Sequence, residues 1–440
     1  MRLATPEKIR RFQRKLYEKA KKDKQCRFHQ LYDKVYRADI LEYAYRRAKA
    51  NKGAPGVDGV RFSDIEREGL EEWLAALQDE LREKKYKPSP VRRKIIPKWG
   101  GGERPLGIPT IKDRVVQTSV RVLIEPIFEA DFVEEAYGYR KHKSAHDAVK
   151  ATHKAVCEGY TDVVDADLSK YFDTIPHHEL MQSVARRICD RHLLHLIKMW
   201  LKVPVEEKDD KGNTRMSGGK HKKTGTPQGG VISPLLANIY MHRYLKGWKQ
   251  RGKDREYRAK LINYADDFVI LSKGKAKEAY DWTRWAMTQL KLTLNEEKTK
   301  IRAARKESFD FLGYTIGPER HRRKGHWYLS AKASKKALKN VKKKIKARLK
   351  PSNVKPWEEV VKRLNSTIHG WVNYFDYGTR YMAYREIDNY VATTVRKFLR
   401  RRHKVSGRGT RRFPDEKIFG ELGVVRLRWL HIGKPSTALS

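Results

Sequence analysis

The sequence predicts an α+β chain: a compact unit of mixed strands and helices, then a mainly α-helical, strongly basic region. Three observations carry this. Runs rich in β-branched and apolar residues at 161–167 and 268–271 have the length of buried strands, and both adjoin carboxylates. Residues 91–109 read strand, glycine turn, strand. Elsewhere apolar residues recur at helical spacing, and past residue 330 they do so against a background of lysine and arginine.

At 440 residues the chain has room for about three domains. Lys and Arg number 98 against 53 Asp and Glu, an excess spread along the whole length that calls for a polyanionic partner. Nucleic acid, bound through phosphates with counterion release, is the first choice, and an anionic membrane surface competes with it. No run of 18 or more apolar residues and no signal-peptide core is present, so no membrane partner and a cytoplasmic location are expected. Cys26, Cys157 and Cys189 are scattered without paired spacing, which supports neither a disulfide framework nor a zinc site.

In chain order, residues 1–50 form a basic N-terminal extension of two helices, one mostly solvated and one packed. Residues 51–60, rich in Gly and Pro, are a structured loop near a ligand or a plain connector. An amphipathic helix covers 71–83. The hairpin at 91–109 carries Arg92, Lys98 and Arg104, placed either to fold over a triphosphate or simply to meet solvent. Core-facing helices follow near 116–128 and 144–158. The strand at 161–167 places Asp165 and Asp167 on one face, with Asp167 at its end, where a sheet fixes a side chain and a loop leaves it open. After helices at 178–189 and 191–202 and a polar hairpin near 209–213, a Gly/Pro loop bearing Gln228 opens a helix, its free amides pointing forward. Residues 292–301 and 309–314 read as the last strands of the compact unit. Residues 332–350 hold ten Lys or Arg and no acid, an amphipathic helix with a cationic face for a nucleic-acid backbone: Lys335, Lys339, Lys342, Lys343 and Lys346. A second cluster, at 396–412, supplies Arg400, Arg401, Arg402, Arg411 and Arg412.

The chemistry centres on Asn263-Tyr264-Ala265-Asp266-Asp267-Phe268. Neighbouring side chains on a strand point to opposite faces, so two adjacent Asp serve one site only at a hairpin tip or with one supporting the other. A solvated Asp-Asp turn is the bland alternative. With Asp167 about a hundred residues upstream, Asp266 as principal ligand and Asp267 as second make a hard oxygen site suited to Mg²⁺. Two such ions activate a 3′-hydroxyl and stabilise leaving pyrophosphate, which is nucleotidyl transfer. A structural nucleic-acid-binding protein whose acids pair with its cations is the runner-up.

The blocks Arg104 to Pro109, Asp167 to Phe172, Pro227 to Asn238, Tyr264 to Asp267, Asn295 to Ile301 and Phe311 to Tyr314 resemble, in order, those of reverse transcriptases. With Gly53 to Gly59 and the basic helices past 330, the chain is similar to bacterial group II intron reverse transcriptase/maturases from about residue 30 to 430. The resemblance implies a right-hand polymerase fold: fingers and palm at 51–320, a helical thumb/maturase domain at 321–400, and a basic DNA-binding segment at 401–440. It implies that Asp167, Asp266 and Asp267 hold two Mg²⁺, with the Leu168 carbonyl a further ligand. Lys98 and Arg104 would grip the triphosphate and Gln228 would line the nucleotide pocket. Phe172 would be a gate against the ribose 2′-hydroxyl, or a core Phe, and Lys298 a general acid, with Lys300 equally available. Members of this family commonly end in a Cys- and His-bearing endonuclease. Here no Cys follows Cys189, so no endonuclease is expected, and priming would use a pre-existing 3′ end. Residues 420–428 would then be a DNA-binding remnant or a packed terminus.

The implied function is an RNA-directed DNA polymerase that binds group II intron RNA, promotes its splicing and copies it into target DNA during retrohoming, using dNTPs and a DNA primer on an RNA template. A relative turned to defence, adaptation or repair, and a splicing cofactor with an idle site, are the alternatives. Oligomeric state is open.

Overall fold

The computed structural model describes residues 3–97, 103–208, 213–321 and 324–430. Eleven strands are present among them: β1 Val91–Pro97, β2 Glu103–Ile108, β3 Asp162–Asp167, β4 Pro204–Lys208, β5 Thr214–Gly218, β6 Ala259–Tyr264, β7 Asp267–Ser272, β8 Lys300–Ala303, β9 Phe309–Phe311, β10 Tyr314–Arg320 and β11 Trp327–Ala333. They form three sheets, ordered β2-β1-β4-β5, β6-β7-β3-β8 and β11-β10-β9.

The fingers gather around helix Ile111–Glu129, which is buried on nearly every side, polar residues such as Asp113, Gln117 and Glu125 included. The solvated helix at the N-terminus, Glu7–Lys22, buries one stripe, Ile9, Gln13, Leu16 and Ala20, and Gln13 donates from Nε2 to the Val122 carbonyl at 2.7 Å. The packed one, Ala38–Ala50, lies on the same central helix.

The palm sheet, β6-β7-β3-β8, is antiparallel, and its two faces feed two cores. Along β3, Val164 and Ala166 join the core of Tyr240, Tyr244 and Met287. Val163 joins that of Phe311, Tyr314 and Tyr384. Helices Ser233–Gln250 and Ala276–Gln289 therefore cover one face, while Asp165 and Asp167, alternating with Val164 and Ala166, belong to the other.

Two expectations change. Residues 292–301 are mostly not strand: Lys298 and Thr299 donate to the Asn295 carbonyl, closing a turn, and β8 begins only at Lys300. The basic helix spans Lys335–Arg348 rather than 332–350, because Lys332 lies in β11, paired with Glu319 at 3.1 Å, and Ser334 caps the helix.

The thumb packs helices Lys335–Arg348, Trp357–Tyr374 and Tyr381–Arg402 together. A boundary at 400 falls inside the last of these, and one at 320 falls at the end of β10, before its hairpin partner. Residues 420–428 are a packed terminus: Val424 and Leu427 are buried, Asn365 donates to the Gly423 carbonyl, and Asp388 accepts from Leu427 N at 2.8 Å.

Candidate active site

The palm sheet brings the expected acids to one end. In the β3–β7 register Asp167 stands directly opposite Asp267, and Tyr264 pairs with Asp267 on the other side. Ala265 and Asp266 are thus the two residues of a hairpin loop, so the adjacent Asp pair is a hairpin tip. Ala265 sits at φ 60°, a left-handed conformation that costs a residue with a Cβ and persists only where its surroundings enforce it.

The enforcement is visible. Asn263, buried, donates from Nδ2 to the Ala265 carbonyl at 2.9 Å. Its backbone pairs with a strap, Glu135 to Tyr137, through Asn263 N to Glu135 O at 2.9 Å and Tyr137 N to Asn263 O at 2.8 Å. Gly138 then lies against the tip so closely that a Cβ there would come within 2.4 Å of Ala265 N. Asn238 fixes the strap, donating to the Gly138 carbonyl at 2.7 Å. Asn238, Asn263 and Gly138 have no role in the sequence reading. An Asn amid the apolar positions of helix Ser233–Gln250 was the available signal for the first.

Lys298 Nζ meets Asp167 Oδ2 at 3.0 Å, and Asn295 N donates to the Asp167 carbonyl at 2.8 Å. Lys300, by contrast, sits on β8 opposite Asp165. Leu168 forms a single bridge to Leu294, with its side chain buried. Crowding in the cleft, and then the carboxylates of Asp266, Asp167 and Asp165, push Asp267 up to about 7, although its side chain keeps access to water. Burial raises Asp165 to about 6. Lys298 is pushed up by its hydrogen bond to Asp167.

Hard carboxylate oxygens crowded against one another, with one ammonium among them, suit a divalent cation, whose charge relieves their repulsion. As placed, no three such side chains among the described residues form a ready-made cage. The fit is thus one of donor chemistry and charge.

Phe172 is half-buried in the short helix Tyr171–Thr174 and stacks edge-on against Tyr139, with ring centroids 6.3 Å apart. Tyr139 was not singled out by the sequence. It lies just past Gly138 at φ 57°, is 44% exposed, and its hydroxyl feels the charges of Asp266, Arg104 and Asp267. Arg104 is an exposed residue of β2. Gln228 is tied at both ends: Nε2 donates to Asp173 Oδ2 at 3.0 Å, and its carbonyl accepts from Gly107 N at 2.6 Å. Lys98 lies outside the described residues.

One expectation fails. The amides ahead of helix Ser233–Gln250 are not free to cradle a ligand, because Gln117 Oε1 accepts from Val231 N at 2.8 Å and Ile232 N at 3.4 Å. On the thumb, Lys335, Lys339, Lys343 and Lys346 are exposed along one helix. Lys342 instead reaches Glu386 at 2.6 Å and lies over the Tyr390 ring. Arg400 and Arg402 donate to the Gly407 and Lys355 carbonyls, both at 2.8 Å, while Arg401, Arg411 and Arg412 are exposed.

Comparison with known proteins agrees with this architecture. Residues 96–316 match the family described as reverse transcriptase (RNA-dependent DNA polymerase), and 338–413 match the group II intron maturase-specific domain. The chain is 36% identical over 351 residues to Protein YkfC of Escherichia coli (strain K12), covering 71% of this chain and 90% of that protein. It is 31% identical over 376 residues to the group II intron-encoded protein LtrA of Lactococcus lactis subsp. cremoris, covering 71% of this chain and 60% of LtrA's length. A solved structure titled "Partial Cas6-RT-Cas1–Cas2 complex" matches at 23% identity and TM-score 0.36, over 59% of this chain and 41% of that one. A polymerase-family match spanning the acid-bearing sheet, followed by a maturase-specific match on the thumb helices, identifies the lineage: the chain belongs to the reverse transcriptases, the RNA-directed DNA polymerases, in their group II intron-encoded branch.

Proposed function

We propose that this protein extends a DNA primer on an RNA template with dNTPs, using Asp167, Asp266 and Asp267 to hold two Mg²⁺, and that it binds group II intron RNA, promotes its splicing and copies it into target DNA during retrohoming. The observation that carries the reading is the placement of these three residues at one end of the palm sheet, Asp167 opposite Asp267 and Asp266 at the adjoining tip. Bound there, the ions supply charge neutralisation and an activated 3′-hydroxyl. The chain's own residues do the rest. Arg104, with Lys98, holds the triphosphate. Phe172 bars the ribose 2′-hydroxyl, with Tyr139 behind its ring, and Gln228 lines the pocket from a loop pinned to β2. Lys298, kept protonated by Asp167, gives its proton to the leaving pyrophosphate; the 3.0 Å contact supports this role over Lys300. The Leu168 carbonyl is a further oxygen beside Asp167.

We take residues 1–50 as an N-terminal extension, 51–320 as fingers and palm, 321–400 as thumb and maturase domain, and 401–440 as a basic segment toward target DNA. The exposed lysines of helix Lys335–Arg348 and Arg401, Arg411 and Arg412 are the proposed contacts to RNA and DNA. No described helix is long and apolar enough to cross a membrane, and we place the protein in the cytoplasm with its nucleic acid.

The test is Mg²⁺-dependent extension of a DNA primer on an RNA template by wild type and Asp266→Ala. The variant should lose about three orders of magnitude or more in rate while binding structured RNA normally. A wild type that binds structured RNA but extends nothing would replace this reading with that of a splicing cofactor.

A further inference from the structure

A groove of about 990 Å³ lies against the outward sides of helices Ser233–Gln250 and Ala276–Gln289 and the loop at Lys24 to Arg27. These two helices cover the palm face opposite the one bearing Asp165 and Asp167, so the groove and the carboxylates are on opposite sides of the sheet.

Its walls carry seven cations and one carboxylate among the described residues. That carboxylate, Asp131, is already matched by Arg187 at 3.0 Å and Lys24 at 3.4 Å. Arg243 and Lys246, one turn apart, and Arg251 at the helix end share a wall, with Arg186 facing them from the end of helix His177–Ala185. In a molecule rich in ion pairs, none of these four meets a carboxylate among the described residues, and Arg243 Nη1 and His242 Nδ1 are buried without a hydrogen-bond partner. Burial, and then the nearby cations Lys246, Arg140, Lys24 and Arg186, depress His242 to about 4. Trp285 stands at the rim 49% exposed, tilted against Trp282 at 6.2 Å.

We propose that this groove is a second nucleic-acid site, separate from the primer–template cleft, that takes a single-stranded segment with its phosphates on Arg186, Arg243, Lys246 and Arg251 and an unpaired base stacked on Trp285. Three of the four cations are arginines, whose planar fork matches phosphate oxygens. An exposed indole beside them offers the face that an unpaired base needs and a duplex withholds. The inference does not rest on the polymerase reading, because the groove shares no residue with that site.

The experiment uses the full chain with its cleft filled by unlabelled primer–template, and measures anisotropy of fluorescein-labelled oligouridylate and oligothymidylate of about twelve nucleotides. Arg243→Gln/Lys246→Gln/Arg251→Gln should weaken binding about tenfold or more and lower the log–log salt slope by about 2. Trp285→Ala, at a half-exposed position, should weaken it about fivefold. Both variants should melt with wild type and extend primers within about twofold of it. Binding of either oligonucleotide supports the site, and their ratio assigns it to RNA or DNA. Unchanged affinity in the triple variant overturns it. So does an unaffected Trp285→Ala, a parallel loss of extension, or equal displacement by polyglutamate, which would reduce the groove to unspecific charge.

Discussion

Asp190 and Asp388 are almost wholly buried, whereas Asp267 keeps a path to water, and yet it is Asp267 that is badly matched. Asp190 accepts from four backbone amides, those of Leu31, Tyr32, His192 and Leu193, all within 3.2 Å. Asp388 accepts from Leu427 N, Arg428 N and Arg428 Nε, all within 3.2 Å. Around Asp267 the neighbours are mostly other acids, with Lys298 an opposing cation: Asp167 across the ladder, Asp266 beside it, Asp165 two residues before Asp167 on β3. Like charges directly opposite one another weaken a sheet. A structural acid is matched by donors of its own chain; Asp267 is set instead against the carboxylates of Asp266, Asp167 and Asp165, a repulsion that a cation would relieve.

The first way to break this contrast is truncation at both kinds of site. Asp267→Ala should lower primer extension by about three orders of magnitude while melting at or above the wild-type temperature, because it removes repulsion rather than a partner. Asp388→Ala should do the reverse, losing about 3 kcal/mol of stability by orphaning the buried Leu427 amide and two part-buried donors of Arg428, read as a lower melting temperature and a thumb that proteases cut sooner. If both variants lose stability alike, the distinction falls.

Lys298→Ala should slow extension about a hundredfold and remove the alkaline limb of the rate profile, since Asp167 holds its pKa up and its proton is the one given away. Lys300→Ala, on the next strand, should change the rate by less than about twofold if the turn at Asn295 has chosen between the two lysines as the contact at Asp167 suggests. A smaller effect is expected at Tyr139. Tyr139→Ala should reduce discrimination between dNTP and rNTP about fivefold, through KM more than kcat, with Tyr139→Phe close to wild type. Equal losses with both substrates would make Tyr139 a packing residue only.

Much of this site was legible because adjacency and alternation are local. Two neighbouring Asp could serve one site only at a hairpin tip or with one supporting the other, and Asp165 and Asp167 had to share a face of a strand. What was not legible depends on contacts between residues far apart in the chain. Gly138 butts against Ala265, and Gln117 reaches across to Val231 and Ile232, taking amides that local reasoning leaves open. The choice between Lys298 and Lys300 hinged on a turn that breaks the strand pattern just before β8. Lys342 looked like its neighbours on a cationic face, but Glu386 sits on the adjacent thumb helix. The terminus at 420–428 shows no clean periodicity, and it packs because Asn365 and Asp388 supply its hydrogen bonds.

The most direct measurement is the melting temperature with and without Mg²⁺, at pH 5 and pH 8, for wild type and Asp267→Asn. Asp267 has its pKa raised from 3.8 to about 7, so the folded state favours its proton; without metal, its contribution to stability is fullest below about 4 and is lost as pH rises through about 7. Mg²⁺ should therefore raise the wild-type melting temperature at pH 8 and scarcely at pH 5, while Asp267→Asn melts higher than metal-free wild type at pH 8 and responds less to the ion. An Asp267→Asn that melts below wild type, with no Mg²⁺ effect on either protein at pH 8, would contradict the account: Asp267 would then be a structural acid like Asp190.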